Sequence, residues 1–244
     1  RLGTSGRTTL GSITGKSADG CPMSSTVHNG EVISQTRRSK SMTRSLSGVL
    51  PFRGQGVSYE SGLERDFIRI WLLDPEVVAI VAQPAQITFT AHNGRSYIYT
   101  PDFFVQFDER SGRKPLLVEV KMREQWVPNW REWFPKWKAA SRYARDRGWQ
   151  FRIYDEARIR GPVLENVEFL QRYRNLNFDP DLTAVVLTTL SLMKAAPFHH
   201  LIARHFTGNE AVGRSHLWHL IATGQVFVDL EERLDEFTIM RTCK

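Results

Sequence analysis

The chain has 244 residues, 33 of them lysine or arginine against 26 aspartate or glutamate, for a formal net charge of +7. That length holds one large or two modest domains, and the basic balance favours a polyanionic partner, of which nucleic acid is the usual one. Cys21 and Cys243, the only cysteines, lie near opposite ends, which argues against a disulfide framework or a four-ligand zinc site and for a reducing cytoplasm. No apolar run approaches the roughly 18 residues of a membrane span, and no signal-peptide core opens the chain.

Residues 1–43 are dominated by Gly, Ser, Thr and basic residues, including Arg37, Arg38 and Lys40. Such a composition predicts a flexible basic arm that either engages DNA or a partner or is simply solvated. From Glu60 to Trp71 the apolar residues Leu63, Phe67, Ile70 and Trp71 fall at three- and four-residue steps, the pattern of an amphipathic helix with Glu64 at the border of its buried stripe. Asp74-Pro75 stops it, and Val77–Ala82 and Ile87–Ala91 read as strands flanking Gln83-Pro84. Tyr97–Phe107 and Leu116–Lys121, separated by a polar turn, read as a hairpin; alternation then sets Glu119 and Lys121 on one face and Val118 and Val120 on the other.

Trp126, Trp130, Trp133 and Trp137 follow, interleaved with Arg131, Lys136 and Lys138. They fit either a surface that stacks on bases or a helix laid over the sheet, and the helical steps of Trp130, Phe134 and Trp137 favour the second. This helix runs to Arg147 with Gly148 as its stop, leaving Lys136, Lys138, Arg142 and Arg145 as a basic face. Phe151–Tyr154 returns as a strand and Asn166–Leu176 as a helix closing a domain over residues 44–177. Beyond it, residues 178–244 predict three helices, starting at Pro180, Pro197 and Gly213, and then two short strands, Val226–Leu230 and Phe237–Met240: a winged-helix pattern. Arg214, His216 and His219 lie on the third helix, but Asp229, Glu231, Glu232, Asp235 and Glu236 on the wing repel phosphates and favour docking to protein. His199, His200 and His205 lack the spacing and supporting acid of a zinc-protease motif.

Chemistry converges on four of these residues. Asp102, just after Pro101, comes within reach of Glu119 through strand pairing, and Glu64 comes from the upstream helix. Carboxylates gathered in this way form a hard oxygen cage suited to Mg²⁺, with Mn²⁺ as substitute, while Lys121 orients or helps deprotonate a water for attack on phosphorus. The order Pro-Asp, hairpin, Glu-x-Lys, with a helical acid upstream, predicts a metal-dependent nuclease.

Glu60-Ser61-Gly62-Leu63-Glu64-Arg65-Asp66-Phe67, Gln83-Pro84, Tyr99-Thr100-Pro101-Asp102-Phe103 and Glu119-Val120-Lys121 resemble the TnsA endonucleases of heteromeric DNA transposases. The resemblance implies an α/β fold, a restriction-endonuclease-like PD-(D/E)XK core with a C-terminal winged-helix domain. It implies that Glu64, Asp102 and Glu119 bind metal and that Lys121 is the catalytic lysine; some members carry glutamine where this chain has Glu119. It further implies a bacterial, nucleoid-associated enzyme that cuts the 5′ ends of a transposon in double-stranded DNA. A DDE transposase would cut and join the 3′ ends, and an AAA+ ATPase regulator would bind the C-terminal domain. A stand-alone restriction or repair nuclease of the same fold and a noncatalytic DNA- or protein-binding module are the competing readings.

Overall fold

The computed structural model describes residues 22–37 and 46–242. The first described segment departs from the arm expected there. Ser25–His28 (β1) and Glu31–Ser34 (β2) form an antiparallel hairpin whose turn residues, Asn29 and Gly30, have φ of 49° and 78°, the left-handed pair that a two-residue hairpin turn requires. The hairpin is held down because Ile33 is buried, Thr26 Oγ1 donates to Gln106 Oε1, and Thr36 N donates to Gln83 O at 3.0 Å. Arg38, Lys40 and Arg44, like both cysteines, lie outside the described residues.

A second hairpin follows, Gly48–Phe52 (β3) with Gln55–Tyr59 (β4). The helix Gly62–Ile70 (α1) starts at Ser61, whose side chain caps Glu64 N, and buries Leu63, Phe67 and Ile68. Next come Val77–Ala82 (β5), Ile87–Thr90 (β6), Ser96–Tyr99 (β7), Phe103–Phe107 (β8) and Leu116–Val120 (β9). The single strand expected over Tyr97–Phe107 is therefore broken. Tyr99 pairs with Ile87 in a separate two-stranded sheet, Pro101 has no N–H for a ladder, and Asp102 N donates to Val118 O at 2.9 Å as the chain enters the central sheet.

Arg123–Asp146 (α2) crosses over to Gln150–Tyr154 (β10), which pairs parallel with β9, so the central sheet runs β10-β9-β8-β5 with the other two pairings antiparallel. Both β8 and β9 are buried at every position because each face has its own cover. Phe103, Val105, Val118 and Val120 pack with Phe67 under α1. Phe104 and Leu117 pack with Trp137, Ala140 and Ala144 of α2. The alternation expected for β9 thus places Glu119 on the α2 face. The tryptophan helix divides as well: Trp137 is buried, whereas Trp130 and Phe134, expected to fill the core, are 47% and 48% exposed. The inward stripe is Trp133, Trp137, Ala140 and Ala144, and a helix turns the intervening residues outward.

Glu156–Ile159 (α3), not anticipated from the sequence, precedes Pro162–Gln171 (α4). The C-terminal elements are Pro180–Met193 (α5), Ala195–Pro197 (β11), Phe198–His205 (α6), Glu210–Ala222 (α7), Val226–Phe227 (β12) and Ile239–Thr242 (β13). The strands form one antiparallel sheet, β11-β13-β12. Phe198, Leu201, Leu217, Leu220, Ile221 and Met240 build its core. Leu170 of α4 belongs to the same cluster, and α4 packs against both α1 and α7. Two of the three polar residues singled out on the third helix turn inward: His216 is fully buried with Nε2 2.8 Å from Thr183 Oγ1, and His219 Nδ1 is 2.9 Å from Tyr173 O. Arg214 stays exposed. Among the described residues no helix is long and apolar enough to cross a membrane.

Candidate active site

Asp102 occupies the joint between β7 and β8, where two backbone bonds fix the chain and a third bond fixes the side chain. Its N–H donates to Val118 O at 2.9 Å, its carbonyl accepts from Gln83 N at 2.7 Å, and its Oδ2 accepts from Val120 N at 2.7 Å. Oδ1 accepts nothing from the described residues. Burial is the first cause that drives the Asp102 pKa well above the ordinary carboxylate range; the Glu119 and Glu64 charges push the same way, and only the Val120 amide and the Lys121 ammonium oppose them.

Glu119 is buried on the α2 face of β9. Tyr99 Oη donates to its Oε2 at 2.7 Å, and Lys136 Nζ lies 3.4 Å from its Oε1. The Tyr99 hydroxyl is held in its protonated form by burial first and then by the Glu119 and Asp102 charges.

Glu64 stands at the first turn of α1. Its Oε2 accepts from Glu60 N at 2.8 Å and its Oε1 from Ser61 Oγ at 3.0 Å, while Ser61 Oγ accepts from Glu64 N at 3.2 Å, a reciprocal cap of the helix start. Burial raises the Glu64 pKa, with the Glu60 and Glu119 charges adding to it against those two donors.

The sheet and α1 therefore bring Glu64, Asp102 and Glu119 close enough for each pair to repel. They do not arrive as a ready ligand set: among the described residues no three carboxylate, imidazole or thiol side chains are gathered so as to hold one metal ion. The donors present nonetheless fit a hard divalent cation. All three are carboxylates, they destabilise one another as anions, and Asp102 keeps an oxygen without a protein donor. Lys121, anchored by its N–H to Tyr154 O at 2.9 Å, puts Nζ 5.6 Å from the centre of the Trp133 ring and forms no ion pair among the described residues.

Further contacts lie behind the acids. Gln83, with φ of 47°, donates from Nε2 to Glu60 Oε1 at 3.0 Å. Arg37, from the supposed arm, reaches Glu60 Oε2 at 3.1 Å and Gln83 Oε1 at 3.4 Å. Asn29-Gly30 between Val27 and Val32 was the available signal for this docking. Tyr99 and Lys136 carried no local signal, because the first acts across a broken strand and the second across a βα crossover.

Residues 74–156 match the family described as TnsA-like endonuclease N terminal, of the Tn7 TnsA-like type. The chain carries a TnsA-like endonuclease domain. The matched stretch runs from the start of β5 to the start of α3, so it contains Asp102, Glu119, Lys121 and Lys136 and stops short of Glu64 upstream and of the C-terminal elements. No curated protein matches the chain. A TnsA-like domain implies nuclease chemistry of the kind used by Tn7-type transposases.

Proposed function

We propose that the protein is a metal-dependent DNA endonuclease that cuts the 5′ ends of a transposon, acting with a DDE transposase and an AAA+ ATPase regulator. The observation that carries this reading is the bond from Val120 N, the residue after Glu119, to Asp102 Oδ2 at 2.7 Å, which ties Asp102 to the Glu-x-Lys strand within the TnsA-like stretch. The β8–β9 pairing, with Lys121 two residues after Glu119, supports a PD-(D/E)XK core.

Glu64, Asp102 and Glu119 would hold Mg²⁺, or Mn²⁺ in its place. The bound ion supplies a more acidic water and stabilises negative charge on the phosphate oxygens. Lys121 lies on the same strand face as Glu119 and forms no ion pair among the described residues, so it donates a hydrogen bond to the attacking water and fixes its direction. Two backbone bonds and the bond from Val120 N to Oδ2 hold Asp102 rigid, which keeps its remaining oxygen aimed while the strand ends stay fixed. The products would be 5′-phosphate and 3′-hydroxyl ends.

The C-terminal elements follow the order helix, strand, helix, helix, strand, strand, which supports a winged-helix module. We assign it to protein docking. Its third helix turns His216 and His219 inward, and Asp229, Glu231, Glu232, Asp235 and Glu236 are all exposed on the connection between β12 and β13, a surface that repels DNA.

The test is cleavage of labelled transposon-end DNA with Mg²⁺ or Mn²⁺ and the transposase present. Asp102→Ala and Lys121→Ala should each reduce cutting by about 10³-fold or more while the circular dichroism spectrum and complex assembly stay as in the wild type. Cutting by Asp102→Ala at a rate near the wild type would refute the assignment. Cutting by the purified protein alone would favour a stand-alone nuclease.

A further inference from the structure

Lys136 belongs to neither the Glu-x-Lys string nor the acid trio, yet its ammonium is the cation in contact with Glu119. It reaches in from the inner face of α2, and its side chain is 20% exposed against 6% for Glu119. Three aromatic rings surround it: Nζ lies 4.6 Å from the Trp133 ring centre, 5.2 Å from Tyr99 and 5.6 Å from Trp137. Such a cage attracts an ammonium through the ring faces whether or not a carboxylate is present.

The bond to Glu119 is the looser of the two that this carboxylate accepts. Lys136 Nζ is 3.4 Å from Oε1, at the outer limit of a hydrogen bond, whereas Tyr99 Oη is 2.7 Å from Oε2. Tyr99 therefore fixes the carboxylate, and the Lys136 contact is the one that yields at least cost. There is also room to yield into. A cavity of about 370 Å³ lies between α2 and the β6–β7 hairpin, lined by Lys136, Trp133, Glu132, His92, Tyr97 and Phe89.

We propose that Lys136 is a positioning residue that competes with the divalent cation for Glu119. It neutralises and holds the carboxylate until the ion binds, then gives it up and withdraws along the Trp133 ring toward the cavity. An ammonium and a divalent cation at the same buried carboxylate oxygen would repel one another strongly, so Lys136 would give up its 3.4 Å contact when Glu119 serves as a ligand. The inference rests on the metal-binding reading above. Competition of this kind leaves a mark that a plain structural ion pair does not: removing the ammonium strengthens metal binding.

The experiment is calorimetric titration of the full chain with Mn²⁺, for the wild type, Lys136→Met and Lys136→Arg. Lys136→Met should bind Mn²⁺ about fivefold tighter, the scale of a modest ion-pair competition, and Lys136→Arg, which keeps the charge, should return toward the wild-type value. In chelator, Lys136→Met should lower Tm, and should lower it by less than half as much in a Glu119→Gln background, where no carboxylate is left to neutralise. Equal or weaker Mn²⁺ binding by Lys136→Met, or a Tm loss unchanged by Glu119→Gln, overturns the competition while the metal reading stands. Absence of Mn²⁺ uptake by the wild type would instead refute the metal reading, and the competition with it.

Discussion

Replacing Tyr99 with Phe removes one hydroxyl and leaves the ring in place, which isolates a single bond in the site. That bond, Tyr99 Oη to Glu119 Oε2, is 2.7 Å long, and both residues are buried at 7% and 5% exposure. A hydrogen bond to a charged acceptor contributes about 1.5–3 kcal/mol, and its length lies near the short range of O–H donors to carboxylates. Lys136, 3.4 Å from the other oxygen, is too far to take over the lost donor's place without rearrangement. Tyr99→Phe should therefore cost about 1.5–3 kcal/mol. With roughly 2–4 °C per kcal/mol for a chain of this size, Tm falls by about 3–12 °C. The assay is thermal unfolding in chelator, followed by circular dichroism, with cleavage measured in parallel; cutting should fall about tenfold rather than vanish, because the carboxylate itself survives. A Tm within about 1 °C of the wild type would refute the argument that a charged, desolvated Glu119 depends on this hydroxyl.

Two further outcomes follow from the same geometry. Asp102→Asn keeps an oxygen for Val120 N and removes one charge from the trio. The folded-state pKa of Asp102 is raised, so its favourable contribution is fully present below the unfolded value and is lost as pH rises through the folded one. The variant should hence gain stability over the wild type as pH rises above the ordinary carboxylate range in urea titrations with chelator, while losing cutting; an equal or shrinking gap would contradict the mutual repulsion of the acids. In the C-terminal unit a Cβ on Gly213 would collide with the Phe206 ring. Gly213→Ala should cost about 1–3 kcal/mol, seen as faster amide exchange in α6 and α7 with β8 and β9 unchanged, and unaltered exchange would show that the ring can move aside.

The parts of the fold legible in the sequence were those set by short-range periodicity. Leu63 and Phe67 announced α1, and Phe103–Phe107 with Leu116–Val120 announced the central pair, because helical and strand spacings are local properties. The break at Pro101 was hidden since residues on both sides favour strands, and only sheet assignment separates Tyr99 from Phe103. Ala195-Ala196-Pro197 has no strand character of its own; β11 exists because β13 offers it an edge. The site divides in the same way. Asp102, Glu119 and Lys121 are joined by one hairpin, whereas Lys136 meets Glu119 only once α2 has folded back over the sheet. Arg37 meets Glu60 only once the first hairpin has docked on β5.

The sharing of α4 between the two cores governs how the protein can be taken apart. Leu170 sits in the C-terminal cluster with Phe169 and Tyr173 packed beside it, while the same helix also touches α1, which bears Glu64. A fragment ending at residue 177 would carry that greasy flank into water and tend to aggregate. Deleting α4 as well would strip support from the helix that brings Glu64. Proteolytic dissection at this seam should thus harm both halves, and neither would report faithfully on how the intact enzyme behaves.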